Sequence, residues 1–295
     1  MSQASVLTSP PGQRLLGPSL AFPASLVVLM VILVPIVMLF RYSFNPFDPT
    51  GMMEEGFTLA NYVQFFQDAY YRDVFLDTIL IAATCTGLSL VLGFPVAYFL
   101  AKTQSRYKSL FIILLVFPLM VGNVVRAAGW MVILGNAGFI NFLVQWLGLA
   151  DAPMKLLFTP GAVVVGTTGV VLPYFILTLQ SVLEGIDFSV EEAAQNLGAN
   201  FFTTFWRVVL PIAAPGVAAG TLLVFILCMN AYATPVLLGG TGVTMMAPAV
   251  YDQITKASNW PFGSALALLL VLGTLCMALL SNWFIHRRYV RTMAS

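Results

Sequence analysis

The chain has 295 residues, 59% of them hydrophobic and 8% charged, with a net charge of +1 and a mean hydropathy of +0.91. Soluble domains carry about 25% charged residues, so this composition excludes a water-soluble globular protein and predicts an integral membrane one. The basic residues are too scattered for a nucleic-acid-binding patch, and Cys85, Cys228 and Cys276 all fall in apolar runs, where they read as small buried side chains rather than a disulfide framework or metal site.

Residues 1–19 hold Ser, Pro, Gly, Gln and the single Arg14, and read as a flexible tail. Leu20 to Phe40 carries no charge and as a helix reaches about 30 Å, enough to cross the hydrocarbon core. It is too long for the apolar core of a cleaved signal peptide, so an uncleaved first span is expected. Arg41 to Val74 is a polar outer loop with Tyr62, Phe65 and Phe66 at helical spacing. The second span is expected over 75–101, followed at once by Lys102, Arg106 and Lys108. The third is expected over 110–134, followed by GNAGFINFLVQWLGL, which is too short and turn-rich to cross and reads as an interfacial helix with Trp146 at headgroup level. The fourth runs over 161–183, the fifth over 216–238 and the sixth over 264–285, ending in His286-Arg287-Arg288 with Arg291 beyond, which leaves 286–295 as a second tail. The fold class expected is therefore an all-α membrane protein with six transmembrane helices over 20–285.

Between the fourth and fifth spans lies the polar stretch from Glu184 to Pro215, EGIDFSVEEAAQNLGANFFTTFWRVVLPIAAP. Ser189 and Glu192 have capping-box spacing, Glu191 and Glu192 add negative charge to the first helical turn, and Gly198 is placed to end the helix. A second piece, Asn200 to Val209, carries Phe201, Phe202, Phe205 and Trp206 and is expected to stop at Leu210-Pro211, because proline cannot continue a helix. Two turns of helix are marginal alone. The unit therefore predicts a docking knob for a soluble partner.

With six spans and both termini inside, Arg14, Lys102, Arg106, Lys108, Arg207, Arg287, Arg288 and Arg291 fall on the inner side and only Arg41, Arg72, Lys155 and Lys256 outside. That bias satisfies the positive-inside rule and puts the polar loop in the cytoplasm. No lysine sits in a GxxxxGK[ST] phosphate loop, the acidic residues lie mostly in loops, and the one histidine, His286, follows the last span, where it reads as an interfacial anchor. Energy is then expected from a separate ATPase acting on the central loop, and neither an enzyme nor a cofactor is expected.

Few polar residues lie within the spans. Asn123, Arg126 and Trp130 share one face of the third span. A charge there is costly unless paired or wetted, so the face meets an aqueous cavity or a partner subunit, or else Arg126 snorkels to the outer interface or anchors a packing hydrogen bond. Asn230, Tyr232 and Thr234 precede Pro235, which is expected to kink the fifth span and expose carbonyls. Tyr251 and Asp252, in the last outer loop, are placed to meet substrate or a substrate-delivering protein, or are solvated loop groups.

Glu192-Ala193-Ala194, three residues, Gly198, nine residues and Val208-Val209-Leu210-Pro211 resemble the EAA loop of permease subunits of ABC importers, with Val208 as the one conservative departure. Arg126 to Asn141, Asn230 to Gly240 and Asn259-Trp260-Pro261-Phe262-Gly263 resemble the polyamine branch of the type I importers, the spermidine/putrescine class, whose relatives handle ferric iron, opines and phosphonates. The resemblance implies a multi-pass permease of the bacterial inner membrane, paired with a second, similar permease, a cytoplasmic ABC ATPase dimer and a periplasmic substrate-binding protein. It implies a coupling helix at Glu191, Glu192, Ala193, Ala194 and Gly198, with Leu210 and Pro211 closing the loop. A polycation path should have acidic and aromatic lining, whereas the clearest intramembrane charge is Arg126, so polyamine leads and an organic anion follows as cargo. A self-contained secondary carrier and a non-transporting scaffold are the readings from other classes.

Overall fold

The computed structural model describes residues 13–293 and the side chains of residues 25–280. Every regular element among the described residues is helical, and six helical runs are long and apolar enough to cross a membrane. The order is α1 Gln13–Tyr42, α2 Ala60–Gln67, α3 Ala69–Lys102, α4 Lys108–Met120, α5 Asn123–Leu134, α6 Phe139–Trp146, α7 Pro160–Leu183, α8 Ser189–Asn196, α9 Phe201–Thr204, α10 Leu210–Met229, α11 Met246–Thr255 and α12 Trp260–Met293. Two five-residue π-helical turns, Phe205–Val209 and Pro235–Gly239, join α9 to α10 and follow the end of α10.

The core is a three-helix stack of α3, α7 and α10. With lipid outside, there is no water to drive helices together, so close approach depends on small residues. Phe175 of α7 is fully buried and wedged between two glycines. A Cβ on Gly93 of α3 would lie 2.5 Å from its Cδ1, and one on Gly220 of α10 would lie 3.0 Å from its Cδ2. Gly216 repeats the device lower down, 2.7 Å from Val182 Cβ. By contrast α1 lies along α12 with its side chains from Ser25 to Phe40 almost wholly outward, an all-round apolar helix that lipid or another chain must cover.

Hydroxyls within the spans turn back on their own helices, Thr84 to Leu80 O, Thr86 to Ala82 O and Thr274 to Leu270 O. Thr78 does more: its Oγ1 donates to Val74 O at 2.7 Å and accepts the Met246 N–H at 2.8 Å, which ties the start of α11 to α3. In the first long loop, α2 forms where Tyr62, Phe65 and Phe66 predicted a helix, and buried Asn61 fastens it through Ser43 O and Asn45 O at 2.8 and 3.0 Å.

Several boundaries differ from expectation. α1 begins at Gln13, so residues 13–19 are helical rather than a flexible tail, and α12 runs through the 286–293 segment read as the second tail. Residues 1–12 and 294–295, and the side chains of Arg14, His286, Arg287, Arg288 and Arg291, lie outside the described residues. The expected third span is two helices, α4 and α5, interrupted at Val121-Gly122, where both residues are extended. Pro118 withholds one N–H from the end of α4, and Gly122 places no Cβ against the break. The apolar run long enough to cross is then Asn123–Trp146, in which α6, expected to be interfacial, follows α5 after a Gly135–Gly138 turn. The fifth span ends at Met229 instead of 238, six residues before Pro235, where Asn230 caps the helix through Nδ2 to Ile226 O at 2.9 Å. Tyr251 and Asp252 sit on α11, not in an irregular loop.

At the end of the bundle that carries the polar loop, Lys108 Nζ lies 2.7 Å from Glu184 Oε1 and ties the start of α4 to the end of α7. Gln180 Nε2 adds a bond at 3.2 Å. The Lys108 ammonium, then the Gln180 amide, hold the Glu184 carboxyl below its ordinary value of 4.5.

Two outcomes follow from this packing. Gly93→Val drives a branched side chain into Phe175 and should destabilise the detergent-solubilised protein by about 1–3 kcal/mol, read by thermal unfolding. Because the folded-state pKa of Glu184 is depressed, its contribution is present above the unfolded pKa and lost as pH falls through the folded one. Lys108→Met should flatten the acid limb of a stability-against-pH curve by at most about 1 kcal/mol, the ceiling for a solvent-exposed pair.

Candidate functional site

Two regions bring the sequence-predicted residues together, the polar loop at one end of the bundle and a cavity within it. In the loop, α8 spans Ser189–Asn196, but the expected capping box does not form. Asp187 Oδ1 captures the Ser189 N–H at 2.9 Å, so the chain is already helical at Phe188 and Ser189 is not the cap. Gly198 ends the unit at φ +89°, a left-handed conformation that glycine adopts without strain, with its N–H on Gln195 O and that of Ala199 on Ala194 O.

The two glutamates on α8 face opposite ways. Glu191 is 4% exposed and points into the bundle. The Tyr98 hydroxyl lies 2.8 and 2.7 Å from its two oxygens, and Lys102 Nζ donates to Oε1 at 2.9 Å and to the Tyr98 hydroxyl at 3.1 Å. The Lys102 ammonium also lies 5.3 Å from the Tyr98 ring centroid and 5.6 Å from that of Phe188. Glu192 and Ala193 are exposed, Ala194 is half-buried, and Leu197 is 90% exposed. Beyond Gly198, Phe201, Phe202 and Trp206 continue this outward apolar surface, while Phe205 packs edge-on against Phe94 of α3 with centroids 5.1 Å apart.

The chain does not stop at Leu210-Pro211 as expected. Helix continues from Phe201 to Met229 because the π turn hands the Leu210 N–H to Phe205 O, five residues back. The wider ring of carbonyls in the π turn leaves room for the Pro211 ring.

The second region is a cavity of about 500 Å³ between α5, α7 and the break after α10. Asn123, Thr167, Tyr174, Asn230, Tyr232 and Thr234 supply its polar lining. It therefore collects Asn123, Asn230 and Tyr232 from the sequence-predicted set and adds Thr167 and Tyr174, which no motif marked. Thr167 is 2% exposed, and its hydroxyl has no hydrogen-bond partner among the described residues. Arg126 is not in the lining. Its Nη2 donates to Asn123 Oδ1, whereas Nε and Nη1 are enclosed without a partner among the described residues. Trp130 rests on α7, where a Cβ on Gly169 would lie 3.1 Å from its Cζ2, so it is a packing residue here.

The ring of Tyr232, which lines the cavity, stands 5.0 Å from that of Tyr251 of α11 at 56°, and neither Tyr251 nor Asp252 is itself in the lining. Beside Tyr251, Asp252 Oδ1 holds Lys256 Nζ at 2.8 Å, a hydrogen bond that raises the Lys256 pKa above its ordinary value. Among the described residues no cluster of His, Cys, Asp and Glu could hold a metal ion.

This architecture has known counterparts. The spermidine/putrescine transport system permease protein PotB of Escherichia coli K12 is 32% identical over 252 residues, covering 85% of this chain and 91% of that protein. PotB of Haemophilus influenzae is 33% identical over 253 residues, covering 86% and 87%. A bacterial ABC transporter for the acidic polysaccharide alginate, solved with its pentasaccharide-bound periplasmic protein, superposes with a TM-score of 0.74 at 17% identity, covering 94% of this chain and 96% of that one. Residues 86–289 match the family of binding-protein-dependent transport system inner membrane components. The helical bundle with its exposed polar loop is thus a multi-pass ABC permease, and the chain belongs to that inner membrane component family.

Proposed function

We propose that this chain is the permease subunit of an ATP-driven importer for polyamines of the spermidine/putrescine type. The carrying observation is the pair of relatives named for that transport, each about one-third identical over most of both chains. In this reading the protein has no ATPase site of its own, and a cytoplasmic ABC ATPase dimer seats on the outward face of α8. Glu192, Ala193 and Ala194 provide its smooth flank, Gly198 its end, and Leu210 and Pro211 its junction with α10. A second permease completes the path, and a periplasmic binding protein delivers cargo. The residues form a permease unit over 20–285 in the bacterial inner membrane, with both termini cytoplasmic; the positive-inside bias, with Lys102 paired to Glu191 of α8 and Lys108 to Glu184 at the end of α7, supports that orientation.

The cavity supplies the substrate chemistry. An alkyl ammonium is attracted to aromatic faces and to a carboxylate, and the Tyr232–Tyr251 pair with Asp252 offers both beside the cavity, Asp252 already holding the ammonium of Lys256. In the lining, Asn230 and Tyr174 present neutral acceptors, whereas Asn123 Oδ1 is already taken by Arg126, which is not itself in the lining. An organic anion such as an opine or phosphonate is the second reading, favoured by the two unpartnered N–H-bearing nitrogens of Arg126.

Purification after co-expression with the neighbouring genes, followed by ATPase assay with a ligand panel, separates these readings. Spermidine or putrescine on the binding protein should raise hydrolysis; stimulation by the anions alone would overturn the polyamine reading, and solute movement by the isolated chain under an ion gradient would overturn the ATP-driven one. Glu192→Arg should abolish uptake while the protein stays in the membrane, and normal uptake would remove Glu192 from the docking face. Tyr232→Ala should raise the KM for polyamine about fivefold, the size of one partly desolvated cation–π contact. Arg126→Ala should leave polyamine uptake in place.

A further inference from the structure

The Glu191 cluster is not accounted for by docking. Glu191 is turned away from the outward face of α8, and its carboxylate takes both of its strong bonds from α3, one of the three helices of the α3, α7, α10 stack. The underside of α8 is closely fitted, with a void of only about 10 Å³ among Ile186, Phe188, Val190, Val208 and Ile212, too small for more than a single water. Lys102 reaches over the Phe188 ring at the start of α8 as well as to Glu191, so one ammonium grips the helix at two points. An eight-residue helix has little stability of its own and moves as a unit with whatever holds it. α3 holds it here, and toward the opposite end of α3 Thr78 holds α11, whose Tyr251 packs on the cavity-lining Tyr232.

We propose that Tyr98 and Lys102 are positioning residues for energy coupling. Through Glu191 they form a joint that passes displacement of α8 into α3, and from there by way of Thr78 toward α11 and, through Tyr251, the cavity-lining Tyr232. This rests on the loop being the ATPase-coupling element. α10 provides a second route, by chain continuity through α9 and the π turn; the joint adds a direct route to α3, which packs along both α7 and α10.

The test uses the full complex of permeases, ATPase and binding protein in liposomes, with Tyr98→Phe and Lys102→Met as variants. Neither residue lies on the outward face of α8, so ATPase association should persist. Removing a hydrogen bond to a buried carboxylate should raise the ATP hydrolysed per substrate imported about fivefold or more. Lys102→Arg, which keeps the charge, should restore much of the lost coupling. Hydrogen exchange provides a reading independent of the cargo. In the unaltered complex, replacing ADP by ATP should change protection in residues 189–197 and 95–102 together; in Tyr98→Phe the change should stay in the loop and vanish from α3. Linked exchange in both variants, or an unchanged ATP-to-substrate ratio, would overturn the joint. Loss of ATPase association would also overturn it, by making the cluster part of the docking site. An unaltered complex that shows linked exchange but imports no polyamine would refute the cargo assignment and leave the joint standing.

Discussion

The constraint on which the structure depends is that hydrocarbon offers no partner to a polar group. Almost every peptide unit in the spans must bond within its own helix, and helices approach only where side chains are small. Phe175 shows the solution in one residue. Fully buried, it occupies space that Gly93 and Gly220 leave open on both sides, and so sets the spacing of α3, α7 and α10. The threonines that return their hydroxyls to the preceding turn satisfy the same constraint at side-chain level.

Where the bundle departs from regular helix, it does so beside the cavity. α10 ends at Met229, and the chain passes through Asn230, Ala231 and Tyr232 before helix resumes; α4 gives way to α5 at Val121-Gly122. Asn123 and Asn230, at the two breaks, both line the cavity. Irregular backbone at membrane depth is tolerated where it borders a wetted space, so the breaks and the cavity are one feature. Thr167, buried with no hydroxyl partner among the described residues, lies in this lining.

α8 joins two requirements in eight residues. One side must be presented to a partner and the other fastened to the bundle, and the helical repeat places adjacent residues about 100° apart. Glu191 and Glu192 therefore separate, one to a hydrogen-bonded pocket and one to the surface. A buried carboxylate is expensive to desolvate unless several donors compensate. Tyr98 and Lys102 are those donors, and their cost is what makes the attachment specific in direction.

Composition and charge placement were enough to establish a six-span membrane protein, because an apolar run of span length has no other stable environment. The EAA spacing with Leu210-Pro211 identified the family because it is a local pattern, carried by one continuous stretch. Element ends were less legible. The capping box at Ser189 lost to Asp187, and the proline stop at Leu210-Pro211 was absorbed by a π turn, since each depends on a backbone choice made a few residues away. Tyr98 meeting Glu191 across 93 residues, Thr167 and Asn230 lining one cavity, and Asn123 but not Arg126 being in that lining carried no sequence signal at all. Which chemical groups the protein owns, and that they must lie in a membrane, follows from the sequence alone; which of them meet was decided only by the tertiary structure, because helix rotation and depth are set by packing between segments distant in the chain.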